Sequence, residues 1–350
     1  MKKKRRGVLL VLCFMCLFCT GCGAGNKVEK QSDQNASKLE IGFLFDTFSL
    51  ERWQRDRDIF VSAATDLGAD VNVQNANGDI QKQKEQFEYF IRKHVDAIVI
   101  VQVADDEEDL RAEIEKAKQE RIPVIAYDRL VKNADVDLYI SFDNEQVGRR
   151  MAGHMLAHIQ EGKILLINGP LSDFNCVQIE KGMMEAFHEA GDRLEIVGIE
   201  HAAGWVAEYG FECTEEYLEK FGGLKGIMGG NDGIAGEALT ALSEHRLAGS
   251  VCVVGQDADL AACQRIVEGT QCMTVYKPIE KLAKKAAELV VILAKGEEIT
   301  EDLDTINDGR ADVPYCKLQP IAVTKGNMDV YITGQYHTAE DIYLNVKTRR

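Results

Sequence analysis

The chain has 350 residues, of which 45% are hydrophobic and 28% are charged. This length exceeds one ordinary hydrophobic core and predicts two lobes of about 120–160 residues each. The formal net charge is −16, and it becomes −21 if the five basic residues at positions 2–6 are removed with an export signal. So negative a chain repels nucleic acid, which excludes DNA binding.

The N-terminus has the composition of an export signal. The basic run is followed by an apolar stretch over 8–18, which is too short to span a bilayer comfortably. This stretch ends in "CTGC", and small residues precede Cys22. We therefore expect residues 1–21 to be a lipoprotein signal peptide, Cys22 to be lipidated and the polar segment 22–38 to be a flexible tether. An ordinary secretory signal is the alternative.

The cysteines do not have the spacing of a metal site. Ten are present, and four of them lie at positions 13–22. The others are scattered, without a C-x-x-C pair or a His at ligand spacing: Cys176, Cys213, Cys252, Cys263, Cys272 and Cys316. We expect no metal and no cofactor, and we expect Cys252 and Cys272 to pack as small hydrophobic residues. Whether any of the six form disulfides stays open.

From residue 38 onward, predicted strands alternate with predicted helices. In the first half, strands are predicted at 41–45, 70–74, 96–101, 122–127 and 137–142, and a charged helix is predicted over 106–119. The nearly continuous apolar run at 96–101 is typical of a strand that is buried on both faces of a parallel sheet.

The alternation restarts after Asn144. Strands are predicted at 163–168, 194–199, 225–230, 250–255 and 271–276, and helices at 145–160, 175–189, 207–220, 233–246 and 278–296. Two such sets predict an α/β fold with two Rossmann-like lobes built on parallel sheets. No G-x-G-x-x-G follows the first strand and no P-loop motif occurs, so a nucleotide site is disfavoured.

The expected lobes are discontinuous in sequence. The first comprises 39–141 and about 277–309, the second comprises 142–276 and about 310–325, and 326–350 is a C-terminal tail. After Asn144, the chain is expected to cross between the lobes again near 275–276 and 309–312. Small backbone changes at these crossings would let the lobes close.

Polar and aromatic residues follow nearly every predicted strand. The segments at these ends read "DTFSLERWQRD", "DR", "FDN", "NGPLSDFN", "HAAGWV", "GGND", "GQDAD" and "YKP". In open parallel sheets, ligands bind beyond the carboxyl ends of the strands. Carboxylates, guanidinium groups and amides suit sugar hydroxyls, which both donate and accept. Trp53 and Trp205 could stack on the apolar faces of a sugar ring, although ordinary packing is the alternative.

Five segments carry a family resemblance. They read "LERWQRDRDIF", "AYDR", "ADVDLYISFDNEQVG", "GQDADLA" and "TQCMTVYKP". They resemble segments of bacterial periplasmic xylose-binding proteins, which are type I sugar-binding proteins of ABC importers. The similarity runs from about residue 39 to about 325. It implies the type I periplasmic binding protein fold and hinge closure around a monosaccharide.

The resemblance also implies site residues. Arg52 and Arg129 would donate to the sugar, Asp128 would accept from it or orient Arg129, and Trp205 would stack on it. The remaining matches are Asp173, Asn175, Asn231, Asp257 and Lys277. An interlobe salt bridge is the alternative for Asp128 and Arg129, and a solvated side chain is the alternative for Lys277. Asp232 and Asp259 are expected to cap helices instead.

The sequence therefore predicts a monomeric, lipid-anchored receptor on the outer face of the cytoplasmic membrane. It would capture xylose or a similar aldose and present it to an ABC permease without catalysing a reaction. The alternative recipient is a membrane histidine kinase that senses the sugar. A glycoside-processing enzyme that uses Asp128 and Asp257 is a competing class, but each carboxylate has an expected cationic or amide neighbour that keeps it ionised.

Overall fold

The computed structural model describes residues 38–103, 109–191 and 193–346. The expected signal peptide, Cys22 and tether residues 22–37 lie outside these ranges. Within them, no helix combines the length and the hydropathy needed to cross a membrane.

Strands and helices alternate through most of these ranges. The strands are β1 (Leu39–Phe45), β2 (Ala69–Asn75), β3 (Ala97–Ile100), β4 (Val124–Tyr127), β5 (Leu138–Phe142), β6 (Gly162–Asn168), β7 (Leu194–His201), β8 (Gly226–Gly229), β9 (Cys252–Gln256), β10 (Met273–Tyr276), β11 (Asp304–Asn307), β12 (Asp312–Leu318) and β13 (Ile321–Val323). The helices are α1 (Glu51–Asp66), α2 (Ile80–Lys93), α3 (Arg111–Gln119), α4 (Asn144–His158), α5 (Phe174–Ala190), α6 (Tyr209–Phe221), α7 (Asp232–Glu244), α8 (Leu260–Glu268), α9 (Ile279–Ala294), α10 (Met328–Tyr331) and α11 (Ala339–Ile342).

The first lobe is built on a seven-stranded sheet with the order β11-β12-β5-β4-β3-β1-β2. All its neighbouring strands are parallel except β11, which is antiparallel to β12. Alternate residues of β1 point to opposite faces. Phe43 packs with Phe60 of α1 and Leu282 of α9, whereas Leu44 packs with Phe87 of α2. Helices therefore cover both faces, as the buried apolar strands predict.

The second lobe is built on a six-stranded sheet with the order β13-β10-β9-β8-β6-β7, in which only β13 is antiparallel to its neighbour. α4 and α5 pack on one face, and α6 and α7 pack on the other. α4 and α5 approach each other unusually closely. A Cβ atom at Gly148 would lie 1.9 Å from the carbonyl oxygen of Ile179, and one at Gly182 would lie 2.0 Å from that of Glu145. The α/β fold with two Rossmann-like lobes is confirmed.

The chain passes between the sheets at three places, and the third differs from the expectation. The first two lie between β5 and α4 and between β10 and α9. The expected crossing near 309–312 is wrong, because β12 pairs in parallel with β5 in the seven-stranded sheet. The third crossing therefore lies between Leu318 and Ile321, and 310–318 belong to the first lobe. Strand pairing decides this point, and no local pattern predicts it.

The C-terminal segment is folded onto the second lobe. Residues 326–350 were expected to be a tail, but α10 and α11 bury Ile332 and Ile342 against Ile266 of α8. The same segment reaches the first lobe, because Arg55 of α1 donates a hydrogen bond of 2.5 Å to the carbonyl oxygen of Tyr336. These contacts make the segment part of the folded domain as far as residue 346.

Candidate functional site

A polar cavity lies at the carboxyl ends of the strands. It contains about 320 Å³ of space that protein atoms do not fill, and this volume includes solvent at its mouth. The structure brings together all ten side chains that the sequence analysis singled out as ligand contacts. The lining residues are Leu50, Arg52, Trp53, Asp128, Arg129, Asp173, Asn175, Trp205, Asn231, Gln256, Asp257 and Lys277.

Both lobes supply the cavity from the loops that follow their strands. Arg52 and Trp53 lie in the first turn of α1, directly after β1, and Asp128 and Arg129 follow β4. From the second lobe, the N-cap residues of α5 and α7, the end of β9 and the residue after β10 contribute. This is where parallel α/β sheets bind ligands.

Three lining residues have backbone angles that L-amino acids seldom adopt. The φ angle is 64° at Asp128, 61° at Trp205 and 94° at Asp257. For a bulky residue such as Trp205, a positive φ is costly, and such strain persists only where the surrounding structure imposes it. The fold therefore holds the backbone of these three residues in a strained conformation, and all three side chains line the cavity.

Arg129 joins the two lobes through carboxylates. One Nη atom lies 2.5 Å from Oδ2 of Asp46 and donates to the carbonyl oxygen of Gln102 at 2.9 Å, while Nε lies 2.8 Å from Oδ2 of Asp173 in the second lobe. Burial by itself would lower the pKa of Arg129, but Asp173 and Asp46 outweigh it and raise the pKa above its ordinary value. The planar guanidinium group thus stays charged and is held in one orientation.

Arg52 makes a second buried network. It lies 2.9 Å from Oδ1 of Asp128 and 3.2 Å from Oδ2 of Asp56. The other carboxylate oxygen of Asp56, Oδ1, accepts a hydrogen bond from the Tyr127 hydroxyl. Burial would raise the pKa of Asp128, but Arg52, followed by two other nearby cations, lowers it below the ordinary value. Burial also raises the pKa of Asp56 to about 6, despite the opposing charge of Arg52.

Asn175 links the lobes by its side-chain amide. Its Nδ2 donates to the carbonyl oxygen of Asp128 at 3.0 Å, and its Oδ1 accepts from the hydroxyl of Tyr139 at 3.1 Å and from the amide of Asn144 at 2.9 Å. The Asp128 carbonyl also accepts from the hydroxyl of Ser141 at 2.7 Å. In this conformation Asn175 fixes the Asp128 loop against the second lobe.

Several buried polar atoms of the cavity make no hydrogen bond to any part of the chain that the structure describes. They include Nε1 of Trp53, Oε1 of Gln256 and Oδ1 of Asp257. Oδ1 of Asp257 has only longer ion pairs, at 3.6 Å from a guanidinium nitrogen of Arg52 and 3.6 Å from Nζ of Lys277. A buried polar atom without a hydrogen bond lowers the stability of a protein by about 1–3 kcal/mol. The cavity therefore offers one donor and two acceptors to a ligand that can form hydrogen bonds with them.

The two tryptophans have different surroundings. The ring of Trp53 is 2% exposed and lies 4.4 Å from the guanidinium carbon of Arg52, so its face is partly covered. Trp205 is half-buried, donates from Nε1 to Oδ2 of Asp173 at 3.2 Å, and packs over Gly169, where a Cβ atom would lie 2.5 Å from its ring. Trp205 is therefore better placed to stack against a ligand.

The charges in the cavity favour a neutral, hydrogen-bonding ligand. Arg52, Arg129 and Lys277 each face at least one carboxylate within 3.6 Å, so an anion would have to displace an existing pair. The acid–base alternative with Asp128 and Asp257 is disfavoured, because a general acid needs a raised pKa and that of Asp128 is lowered.

Sequence reasoning missed two lining residues and one helix cap. Gln256 directly precedes Asp257 in "GQDAD" and ends β9, so the strand-end rule could have found it, whereas nothing marks Leu50. Asp232 was expected to cap a helix, but the cap of α7 is Asn231, whose Oδ1 accepts from the amide of Ile234 at 2.9 Å. The side chain of Asp232 is buried and instead accepts hydrogen bonds from the side chains of Gln271, just before β10, and Thr274 on β10.

The chain is similar to known proteins along most of its length. The family described as "Periplasmic binding protein domain" matches residues 41–298. A D-xylose-binding periplasmic protein of Haemophilus influenzae is 44% identical over 89% of this chain and 94% of its own length. Its Escherichia coli counterpart is 39% identical over 97% of this chain and 100% of its own length. A carbohydrate transporter solute-binding protein of Chloroflexus aurantiacus, solved with D-glucose, is 26% identical with a TM-score of 0.79, over 87% of this chain and 98% of that one.

These relatives confirm the resemblance that the sequence motifs indicate. They are named as binding proteins and not as enzymes, which confirms the prediction of a binding protein. The profile match covers well over half of the chain, and both relatives align along nearly their whole lengths. The chain belongs to the periplasmic binding protein family.

Proposed function

We propose that the chain is an exported receptor that captures a neutral monosaccharide, D-xylose first, between its lobes and presents it unchanged to the permease of an ABC importer. One observation carries the proposal. Buried polar atoms of Trp53, Gln256 and Asp257 that make no hydrogen bond within the described residues line the same cavity as three charge-paired cations. Sugar hydroxyls can both accept from Trp53 and donate to the other two.

The relatives support both the class of ligand and the route. The two bacterial relatives are named for D-xylose and for the periplasm, and the solved relative from Chloroflexus aurantiacus is a carbohydrate transporter protein that holds D-glucose. Most of the side chains that line the cavity are polar, and two are tryptophans, which suits the hydroxyl groups and the apolar faces of a single sugar ring. Export of the chain follows from the same names and agrees with the apolar segment near its N-terminus.

Contacts between the lobes support closure around the ligand. Arg129 with Asp173, and Arg52 with Asp257, pair a group of the first lobe with one of the second. The three places where the chain crosses between the sheets, near 142–144, 276–279 and 318–321, would form the hinge. Hinge closure is established for periplasmic binding proteins, and a sugar favours the closed form only through contacts that form there.

Titration calorimetry on the exported protein tests the ligand. Xylose, ribose, arabinose, glucose and galactose are compared at one temperature and pH. We expect one xylose per chain, bound more tightly than the other four sugars. The absence of measurable binding for all five would overturn the sugar assignment, whereas tighter binding of a hexose would overturn only the choice of xylose.

The recipient and the anchor need separate experiments in cells. Deleting the gene should abolish uptake of labelled xylose. If uptake persists while xylose no longer induces transcription, the recipient is a sensor kinase and the importer assignment fails. Metabolic labelling with a fatty acid should mark the wild-type protein but not Cys22→Ser, and an unlabelled wild type would refute lipid anchoring.

A further inference from the structure

Three side chains that commonly bind metals meet in the second lobe, far from the polar cavity. They are His154 of α4, Cys252 at the start of β9 and Cys272 just before β10. The cavity lies at the carboxyl ends of these parallel strands, whereas the two cysteines lie at the amino ends. Because β9 advances about 3.3 Å per residue, roughly 13 Å separates its two ends. The cluster is therefore a second site.

The spacing of the ligand atoms suits one metal ion. Nitrogen of His154 and sulfur of Cys252 and Cys272 all lie within 4.8 Å of one another. Around a tetrahedral zinc ion, the bond lengths place such atoms about 3.3–3.8 Å apart. Binding of an ion would therefore draw the three side chains closer together.

The backbone holds both cysteines in place on neighbouring strands. The amide of Cys252 donates to the carbonyl oxygen of Lys225 at 2.9 Å, and that of Cys272 donates to the carbonyl oxygen of Val253 at 2.9 Å. Cys252 is 7% exposed, while Cys272 and His154 are half-buried, which leaves access from solvent. The ring of His154 is also stacked on that of His158, with centroids 4.0 Å apart.

The chemistry of the three donor groups indicates the kind of ion. Two thiolates and a neutral imidazole would balance the charge of a divalent ion, and sulfur with imidazole selects zinc over calcium or magnesium.

We propose that His154, Cys252 and Cys272 bind one thiophilic divalent transition-metal ion, Zn²⁺ in the first place, with water as the fourth ligand. The ion ties α4 to β9 and β10 and stabilises the second lobe, because it binds the folded form of the site. This inference does not depend on the sugar.

Zinc binding to the full exported chain, purified with a non-thiol reductant and freed of metal, tests the proposal. Competition with a chromophoric chelator should give one Zn²⁺ per chain, and Co²⁺ should give thiolate-to-metal charge-transfer absorption with tetrahedral d–d bands. Zinc should also raise the midpoint of thermal unfolding.

Variants locate the ion. Cys272→Ser and His154→Ala should each weaken zinc binding at least tenfold and remove the cobalt spectrum, while Cys316→Ser, on β12 of the other lobe, should keep both. Circular dichroism and urea unfolding verify that each variant is folded. Absence of binding by the folded wild type, equal binding by all the variants, or a Cys252–Cys272 disulfide in protein isolated without reductant would overturn the proposal.

Discussion

Replacing Asp257 is the sharpest test of the polar cavity. Its Oδ1 atom is buried, makes no hydrogen bond within the described part of the chain and lies 3.6 Å from both Arg52 and Lys277. A hydrogen bond from a sugar hydroxyl to this carboxylate is worth about 1.5–3 kcal/mol, since the acceptor is charged. Asp257→Ala should therefore weaken xylose binding by about 10- to 150-fold.

Two matched variants separate the loss of the hydrogen bond to the sugar from the effects of backbone strain and of lost negative charge. Asp257 has a φ angle of 94°, which asparagine tolerates better than alanine, so Asp257→Asn removes the charge with less backbone strain and should lose affinity by an intermediate factor. Asp66→Ala removes an exposed carboxylate of α1 and should bind as the wild type does. Calorimetry at constant pH and salt gives the affinities, and thermal unfolding verifies folding. A folded Asp257→Ala protein with wild-type affinity would refute the reasoning.

Three further predictions concern the fold and the lobes. Gly148→Ala should lower the free energy of unfolding by about 3 kcal/mol or more, because the new methyl group would lie 1.9 Å from the carbonyl oxygen of Ile179. Gly153→Ala on the same helix is the control, because no atom lies within 4 Å of its new methyl group and the free energy of unfolding should not fall in this way. Urea unfolding compares the two variants. Burial raises the pKa of Asp232 to about 7, so the folded form binds the extra proton and stability falls as the pH rises from about 4 to about 7. Asp232 should contribute on the order of 4 kcal/mol to this fall, and Asp232→Asn should remove that contribution. Urea unfolding at several pH values measures it, and an unchanged pH profile in the variant would contradict the raised pKa of Asp232. The lysine of the Arg129→Lys variant cannot pair with two carboxylates through one planar group, so the variant should bind xylose about tenfold more weakly by calorimetry. Equal affinity would show that the planar guanidinium group is not needed.

The sequence predicted the site better than it predicted the borders of the lobes. Polar residues at strand ends are local features, and the parallel-sheet rule assigns them to one edge, so Asp128 and Asp257 could be placed in a cleft before any coordinates. Which of the two sheets β12 joins depends instead on its pairing with β5. The packing of Ile332 onto α8 likewise depends on an apolar surface made by distant parts of the chain.

By itself, the sequence determined the α/β alternation and the two lobes, because hydrophobic periodicity and turn residues act over a few positions. The residues at strand ends and the family resemblance together supplied ten of the twelve residues that line the cavity. Only the tertiary structure decided which charges pair there, and that Asn231 rather than Asp232 caps α7. It also brought His154 next to Cys252 and Cys272, although no local spacing links them. Such contacts depend on how sheets and helices pack, and that packing balances free energies over the whole lobe.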